Sequence, residues 1–475
     1  MSPWIAIYIA VEWLIRIGMG FVIVLRQQRP NSALAWLVLV MLLPVPGVVL
    51  YLLFGEAGFR RGRVMRYCAG LGLSRQNRAR TLAPELREKQ RFLEGVTERL
   101  GAPPARGGND VEFLTEPDQF LARLCGDIAA ARHHVHLLYF IIADDDAGRR
   151  IVDALVAARG RGVEVRVLAD AAGSFGFFMG LDTKLRDAGA EVRDHLPVNP
   201  LRRKLIRFDL RNHRKLAIID GRAAFTGSHN LVQDDVGISR RARKRGARWQ
   251  DVTVRLEGPS VTGLQEVFAD DWHFETEQVL DGPLYFPTQE HVGEIPVQVV
   301  PSGPHQPEAL VRDCLVEALH TARRHVIIST PYFVPDESLM AALRLAALRG
   351  AQVDLVVPRQ SDKVICDLVA RSHFEELMNA GVRIHLHQKG ILHAKTLTVD
   401  DEFSLVTSAN FDIRSFFLNF ELGVLLYERN ATARLRFCQT RYIEESQKVN
   451  PTLWAGRSLR HRFPERVARL LSPLL

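Results

Sequence analysis

A polar signature occurs twice in this chain, at matching points of two longer stretches that are themselves alike. The first copy is His213, Lys215 and Asp220, followed by Gly227, Ser228 and Asn230; the second is His393, Lys395 and Asp400, followed by Thr407, Ser408 and Asn410. A single His-x-Lys with an aspartate downstream carries little weight. Two copies, each with Ser-x-Asn at the same offset, require an internal duplication. The stretches upstream agree. Residues 120–132 read as a helix, 134–142 as a buried strand, and a second helix leads through Gly162 into a strand at 163–169. The same order returns as a helix over 309–323, a strand over 325–333, and a helix leading through Gly350 into 351–357. Strands alternating with helices predict an α/β fold, with two pseudo-symmetric αβ sandwich domains over 109–295 and 296–450.

The N-terminus constrains the chain differently. Residues 3–25 are apolar except for Glu12 and Arg16, and residues 32–54 carry no charge. Each run is 23 residues long, and about 20 suffice to cross a bilayer as a helix. The polar residues 26–31 between them predict a two-helix transmembrane hairpin over 1–57. No basic segment precedes the first run and no small-residue cleavage site follows it, which argues against a signal peptide. Glu12 and Arg16 are spaced to pair on one helix face, against the second span. Pro44, Pro46 and Gly47 predict a kink near the outgoing end of that span. Arg60, Arg61, Arg63 and Arg66 follow it, against Arg26 and Arg29 in the turn. By the positive-inside rule both termini and the soluble part face the cytoplasm, as a multi-pass protein of the cell membrane. A basic helical linker is expected over 58–108, ending in a Pro/Gly break at 102–109, and a basic C-terminal tail over 451–475.

Composition narrows the classes further. Over 475 residues, 47% are hydrophobic and 24% charged, which excludes wholesale disorder. Cys68, Cys125, Cys314, Cys366 and Cys438 form no Cys-x-x-Cys pair, so free thiols in a reducing compartment are expected and no thiol metal site or nucleophile.

The chemistry follows from the repeated residues. His213 and Lys215, like His393 and Lys395, are two apart and would share a strand face. Asp220-Gly221 signals a type I′ hairpin. Asp220 and Asp400, although grouped with the catalytic set, fall at the turn, where each would brace strands. Ser228, Asn230, Ser408 and Asn410 offer donors suited to an anionic phosphoryl group. A carboxylate that orients each histidine is expected from the next strand, where Asp251 and Glu421 stand. No Asp/Glu/His cluster with ligand spacing accompanies the motifs, so no metal or cofactor is expected. Basic clusters at 202–207 and 240–248 suggest an anionic lipid surface.

These residues resemble the phospholipase D superfamily through its paired HKD motifs, and most nearly the bacterial cardiolipin synthases. The resemblance runs over nearly the whole chain: Ala35-Trp36, Pro44, Gly47, Tyr51 and Phe54-Gly55, then Arg211-Asn-His-Arg-Lys215, Thr330-Pro-Tyr-Phe-Val-Pro-Asp-Glu337, His393-Ala-Lys395, Asn419-Phe-Glu421 and Leu471-Ser-Pro-Leu-Leu475. It departs at Thr407, where glycine is usual, and at Gln250, where arginine often stands. It implies condensation of two phosphatidylglycerol molecules to cardiolipin and glycerol without a metal. His213 would be the nucleophile and His393 the acid/base, with the reverse assignment open. A hydrolytic phospholipase D or another phosphatidyltransferase keeps the same motifs. A superfamily nuclease is disfavoured by the membrane segment and the lack of a nucleic-acid-binding module, and a non-enzymatic scaffold by the intact motifs.

Overall fold

A computed structural model describes residues 3–26, 30–55, 84–197, 210–236, 238, 247–306 and 309–472. The basic residues at 60–66, at 202–207 and at 240–245 lie outside them. The first half holds β1 (Arg106–Leu114), β2 (His134–Tyr139), β3 (Glu164–Asp170), β4 (Glu191–His195), β5 (Leu216–Ile219), β6 (Ala223–Gly227), β7 (Trp249–Gln250) and β8 (Thr253–Glu257). The second holds β9 (Ile295–Ser302), β10 (His325–Ser329), β11 (Phe333–Val334), β12 (Gln352–Pro358), β13 (Arg383–His387), β14 (Ile391–Leu392), β15 (Thr396–Val399), β16 (Phe403–Thr407), β17 (Phe411–Asp412), β18 (Glu421–Leu426) and β19 (Ser446–Lys448).

The duplication is visible strand by strand. The first half orders its strands β4-β3-β2-β5-β6-β8-β1, and the second mirrors this as β9-β18-β16-β15-β10-β12-β13, with β19 at the edge. β1 and β9 pair antiparallel, Arg106 opposite Val297 and Asn109 opposite Ile295. The two expected sandwiches therefore share one sheet of 15 strands. The Pro/Gly break expected up to Asn109 is shorter, because β1 has already begun at Arg106.

Helices cover both faces. Pro117–Ala130 and Asp146–Gly160 pack on the outer face of the first half, and Leu310–Thr321, Glu337–Leu348 and Val364–Asn379 on that of the second. Val261–Thr276 and Arg429–Glu444 fill a shared inner layer around Phe268, Trp272, Leu435 and Tyr442. Burial on both sides explains why β2 and β10 read as near-continuous apolar runs.

The apolar N-terminus differs from the expected hairpin. Pro3–Leu25 is one helix long enough to cross a bilayer. The second run is broken into Pro30–Leu42 and Pro44–Leu50, with a π-helical turn at Tyr51–Gly55. At about 1.5 Å per residue its 13-residue first piece reaches only about 20 Å. A Cβ at Gly47 would lie 2.9 Å from the Val40 Cα, whereas seven positions of a straight helix separate by about 10 Å. The chain therefore doubles back at Leu43-Pro44, and the expected kink is a reversal. Proline lacks the N–H that would continue the helix, and glycine at 47 permits the close return. Glu12 and Arg16 do pair, at 2.9 Å, and the Arg16 Nε donates to the Met41 carbonyl of the second run.

This reversal changes the path of the second run from the straight span expected. Pro30 and Ser32 line a cleft of about 900 Å³ together with Met340, Phe417, Arg466 and Leu470. Pro30 and Ser32, at the start of the second run, thus sit beside the second half. A membrane-impermeant thiol reagent, applied to single cysteines in a cysteine-free background, should treat positions 28 and 460 alike and position 2 oppositely. Opposite labelling of 28 and 460 would restore the two-span hairpin.

Candidate active site

Both histidines lie just before their strands, not within them: β5 starts at Leu216 and β15 at Thr396. Each segment is held by backbone of the other half. The His213 N–H donates to the Phe420 carbonyl, and the Phe420 N–H to the Arg211 carbonyl, both at 2.9 Å. In the second copy β14 pairs with β7, and the N–H groups of His393 and Ala394 both donate to the Gln250 carbonyl, at 2.8 and 2.9 Å. The Gln250 side chain adds a bond to the Lys389 carbonyl at 2.8 Å.

This exchange of backbone decides which carboxylate meets which histidine. Asp251 Oδ1 of the first half lies 2.7 Å from the Nδ1 of His393 in the second. Glu421 Oε1 of the second lies 3.3 Å from the Nδ1 of His213 in the first. A carboxylate on Nδ1 sets the tautomer and leaves Nε2 to react. Asn419 Nδ2 is a further 3.3 Å neighbour of the His213 Nδ1. Aromatic rings flank both imidazoles: Phe140 at 4.2 Å from His213, and Trp249 edge-on at 5.0 Å from His393. Sequence reasoning found the acids but not this crossing, and it missed Phe140, Trp249 and Asn419.

The remaining motif residues separate by task. Each lysine folds back on its own histidine, Lys215 Nζ to the His213 carbonyl and Lys395 Nζ to that of His393, both at 2.6 Å. Asp220 and Asp400 are corrected out of the reacting group. Asp220 accepts from the N–H groups of Arg132, His133 and His134, and Asp400 from those of Arg323, Arg324 and His325. Asp220 and Gly221 both take positive φ, 54° and 62°, as the type I′ signal predicts. The serines are also braces. Ser228 Oγ is bonded to the N–H and carbonyl of Val252, and Ser408 Oγ to the Leu422 N–H and, at 2.5 Å, to Glu421 Oε2. Asn230 Oδ1 accepts from the Ile141 N–H, and Asn410 Oδ1 is buried without a hydrogen-bond partner among the described residues.

Thr407 is accommodated by a reciprocal exchange. Gly227 stands opposite Thr253 in the first half, and Thr407 opposite Gly423 in the second. A Cβ at Gly423 would come within 3.1 Å of the Thr407 Cβ. Each copy thus keeps one threonine and one glycine at this pair.

Arg214, between His213 and Lys215, is fully buried. It donates to Asp271 Oδ1 at 2.6 Å, to the Ser302 carbonyl at 3.0 Å and to the Glu421 carbonyl at 3.1 Å. Its counterpart is the buried Ala394. Burial dominates the titration of the centre. It pushes Lys215 down to about 8 and Lys395 to about 7, although Glu421 and Asp251 oppose it. Burial likewise lowers His213, and lowers His393 to about 4 against the pull of Asp251. The same burial would raise Asp251 and Glu421, but the facing histidines and lysines hold both below the ordinary carboxylate range. The centre therefore holds imidazoles biased to the neutral form and two lysines lowered toward neutrality, an arrangement suited to an incoming anion. Among the described residues no three His, Cys, Asp or Glu side chains converge on a metal position.

The family described as "Cardiolipin synthase, PLD-like domain" matches residues 124–271 and 315–437. That described as "Phospholipase_D-nuclease N-terminal" matches residues 17–56. Cardiolipin synthase A of Yersinia pseudotuberculosis serotype O:3 (strain YPIII) is 35% identical, over 98% of this chain and 97% of its own. Cardiolipin synthase A of Yersinia pestis gives the same figures. This chain belongs to the cardiolipin synthase family. The fold is also that of the solved phosphatidylserine synthase of Haemophilus influenzae Rd KW20, at TM-score 0.57, 16% identity and 80% coverage of this chain and 96% of that one. In this family member the two motif copies of the sequence are the two copies of the matched domain.

Two outcomes follow. Asp251→Asn should lower turnover by about 10²–10⁴-fold without changing the melting temperature by more than a few degrees. The downfield Nδ1–H resonance of His393 should vanish in that variant and survive in Glu421→Gln; loss in both or neither would refute the crossed pairing. Secondly, kcat/KM should fall as pH rises through about 7 to 8, because Lys395 and Lys215 lose the proton that attracts the substrate. A bound anion raises both, so the limb in kcat should lie higher. Coincident limbs would exclude the lysines as its source.

Proposed function

We propose that the chain is a membrane-bound phosphatidyltransferase that condenses two phosphatidylglycerol molecules to cardiolipin and glycerol. The observation that carries this reading is the pair of histidines, each with a lysine on its own side and a carboxylate from the opposite half. In the first step His213 Nε2 attacks phosphorus. A P–N bond forms, the P–O bond to glycerol breaks, and His393 donates the proton that glycerol takes away. In the second, His393 removes the proton of a headgroup hydroxyl of the second phosphatidylglycerol. That oxygen attacks phosphorus, the P–N bond breaks, and His213 is restored. His393, lowered to about 4 by burial, gains its proton as the phosphodiester anion enters.

With both serines engaged as braces, the phosphoryl oxygens fall to Lys215, Lys395, Asn230 and Asn410. Asp251 and Glu421 act on the imidazoles. No step needs a cofactor, since the lysines supply the positive charge. We further propose that the catalytic halves face the cytoplasm. Four arginines follow the second apolar run in the sequence, at 60, 61, 63 and 66, and the positive-inside rule assigns such a flank to the cytoplasm. The substrates are then headgroups at the surface to which the enzyme is tethered, which supplies proximity.

Purified protein in vesicles of labelled phosphatidylglycerol alone should yield cardiolipin and free glycerol in equal amounts. His213→Ala and His393→Ala should each lose at least about 10³-fold of that activity, with a phosphoenzyme trapped only in the second. Phosphatidic acid as the main product would make the protein a hydrolase.

A further inference from the structure

The C-terminal segment, expected as a basic tail, is a helix, Leu459–Leu471, fastened to the second half. Arg462 pairs with Glu375 at 2.9 Å and Arg469 with Glu376 at 3.5 Å. Ala468 is buried against Val334 and Val369. These contacts fix which way the helix faces. Its outer face carries Leu459, Phe463, Val467 and Leu470, exposed by 73, 69, 39 and 77%. At about 100° per residue they fall within an arc of roughly 80°. Arg460 and Arg466 flank that arc on either side, both exposed. Neither has an acidic partner among the described residues, in contrast to the inner Arg462 and Arg469.

We infer that this helix lies in the interface of an anionic bilayer, with the stripe from Leu459 to Leu470 inserted and Arg460 and Arg466 on lipid phosphates. An apolar arc bordered by basic residues is the form of an interfacial helix, whose arginines keep their heads in the polar layer. Position supports the same occupant. Arg466, Arg469 and Leu470 share the 900 Å³ cleft with Pro30 and Ser32, at the start of the second apolar run. The helix thus stands next to the point where the molecule enters the membrane. Four large apolar side chains on a rigid face would otherwise meet water.

The inference rests on membrane attachment through the N-terminal apolar segment, not on the reaction, so the two fail separately. The test uses the full chain in vesicles of phosphatidylglycerol and neutral lipid. An environment-sensitive fluorophore is placed at Phe463→Cys, or at Leu470→Cys should the first variant fold poorly, in a cysteine-free background. Phe437→Cys, equally exposed on another helix, is the control. Quenchers carried on lipid should quench the probe at 463 at least threefold more than that at 437, with the reverse order for aqueous iodide. Arg460→Gln with Arg466→Gln should reduce lipid quenching at 463 at least twofold in anionic vesicles and leave it unchanged in neutral ones. Equal quenching at 463 and 437 would overturn the inference. So would efficient crosslinking of 463 between two copies, which would assign the face to a dimer. Product analysis on the same vesicles reports independently on the reaction.

Discussion

The guanidinium of Arg214 is a full positive charge in a place without water. It is always protonated, so burial cannot neutralise it and the fold must satisfy it. Asp271 supplies the countercharge from the first half, and the carbonyls of Ser302 and Glu421 accept from it in the second. Removing one member of such a pair costs about 3–5 kcal/mol, because the other remains buried and unpaired. Nothing in that argument requires the ion pair to add net stability over an apolar core. What it does add is registration, since Arg214 can be satisfied only when β9 and β18 sit against the first half in one position.

Registration matters because the site is divided between the halves. Glu421 offers its carbonyl to Arg214 and its carboxylate to His213, so one residue ties the buried charge to the imidazole. The backbone pairing of Asn212 with Phe420, and of β14 with β7, does the rest. Neither half can complete its own histidine. The burial that results also sets the chemistry. It lowers both lysines and both histidines together, and an anionic phosphodiester favours the protonated form of the lysines and of the proton donor. Binding and activation are therefore one electrostatic event.

Much of this was legible in the sequence, for local reasons. The duplication, the His-x-Lys segments, the type I′ turn at Asp220-Gly221 and the bracing role of both aspartates follow from spacing and turn chemistry. The crossed pairing of Asp251 with His393 was not. It arises from contacts 142 residues apart in the chain, and strand patterns carry no information about which copy a segment will lie beside. Arg214 left one faint mark, the contrast of His-Arg-Lys with His-Ala-Lys. The second apolar run shows the opposite failure. Hydropathy counted enough residues for a span, but it does not register direction, and the reversal at Leu43-Pro44 is a backbone event. Pro44, Pro46 and Gly47 marked the place without giving the angle.

Near-symmetry of the fold also bears on the proposed reaction. Donor and acceptor are the same lipid, so a twofold site offers each a similar headgroup berth with one lysine and one asparagine. Perfect symmetry would make the two imidazoles interchangeable, yet one must attack while the other manages protons. The departures from symmetry fall where they would divide those tasks. His393 has the shorter carboxylate contact, at 2.7 Å, while His213 faces Glu421 at 3.3 Å with Asn419 beside it and Phe140 over its ring. Asp251 pulls His393 toward the protonated form, against a burial that still lowers it to about 4. Burial lowers His213 as well, against the pull of Glu421. The division we propose, His393 as acid/base and His213 as nucleophile, is the order the family resemblance implies.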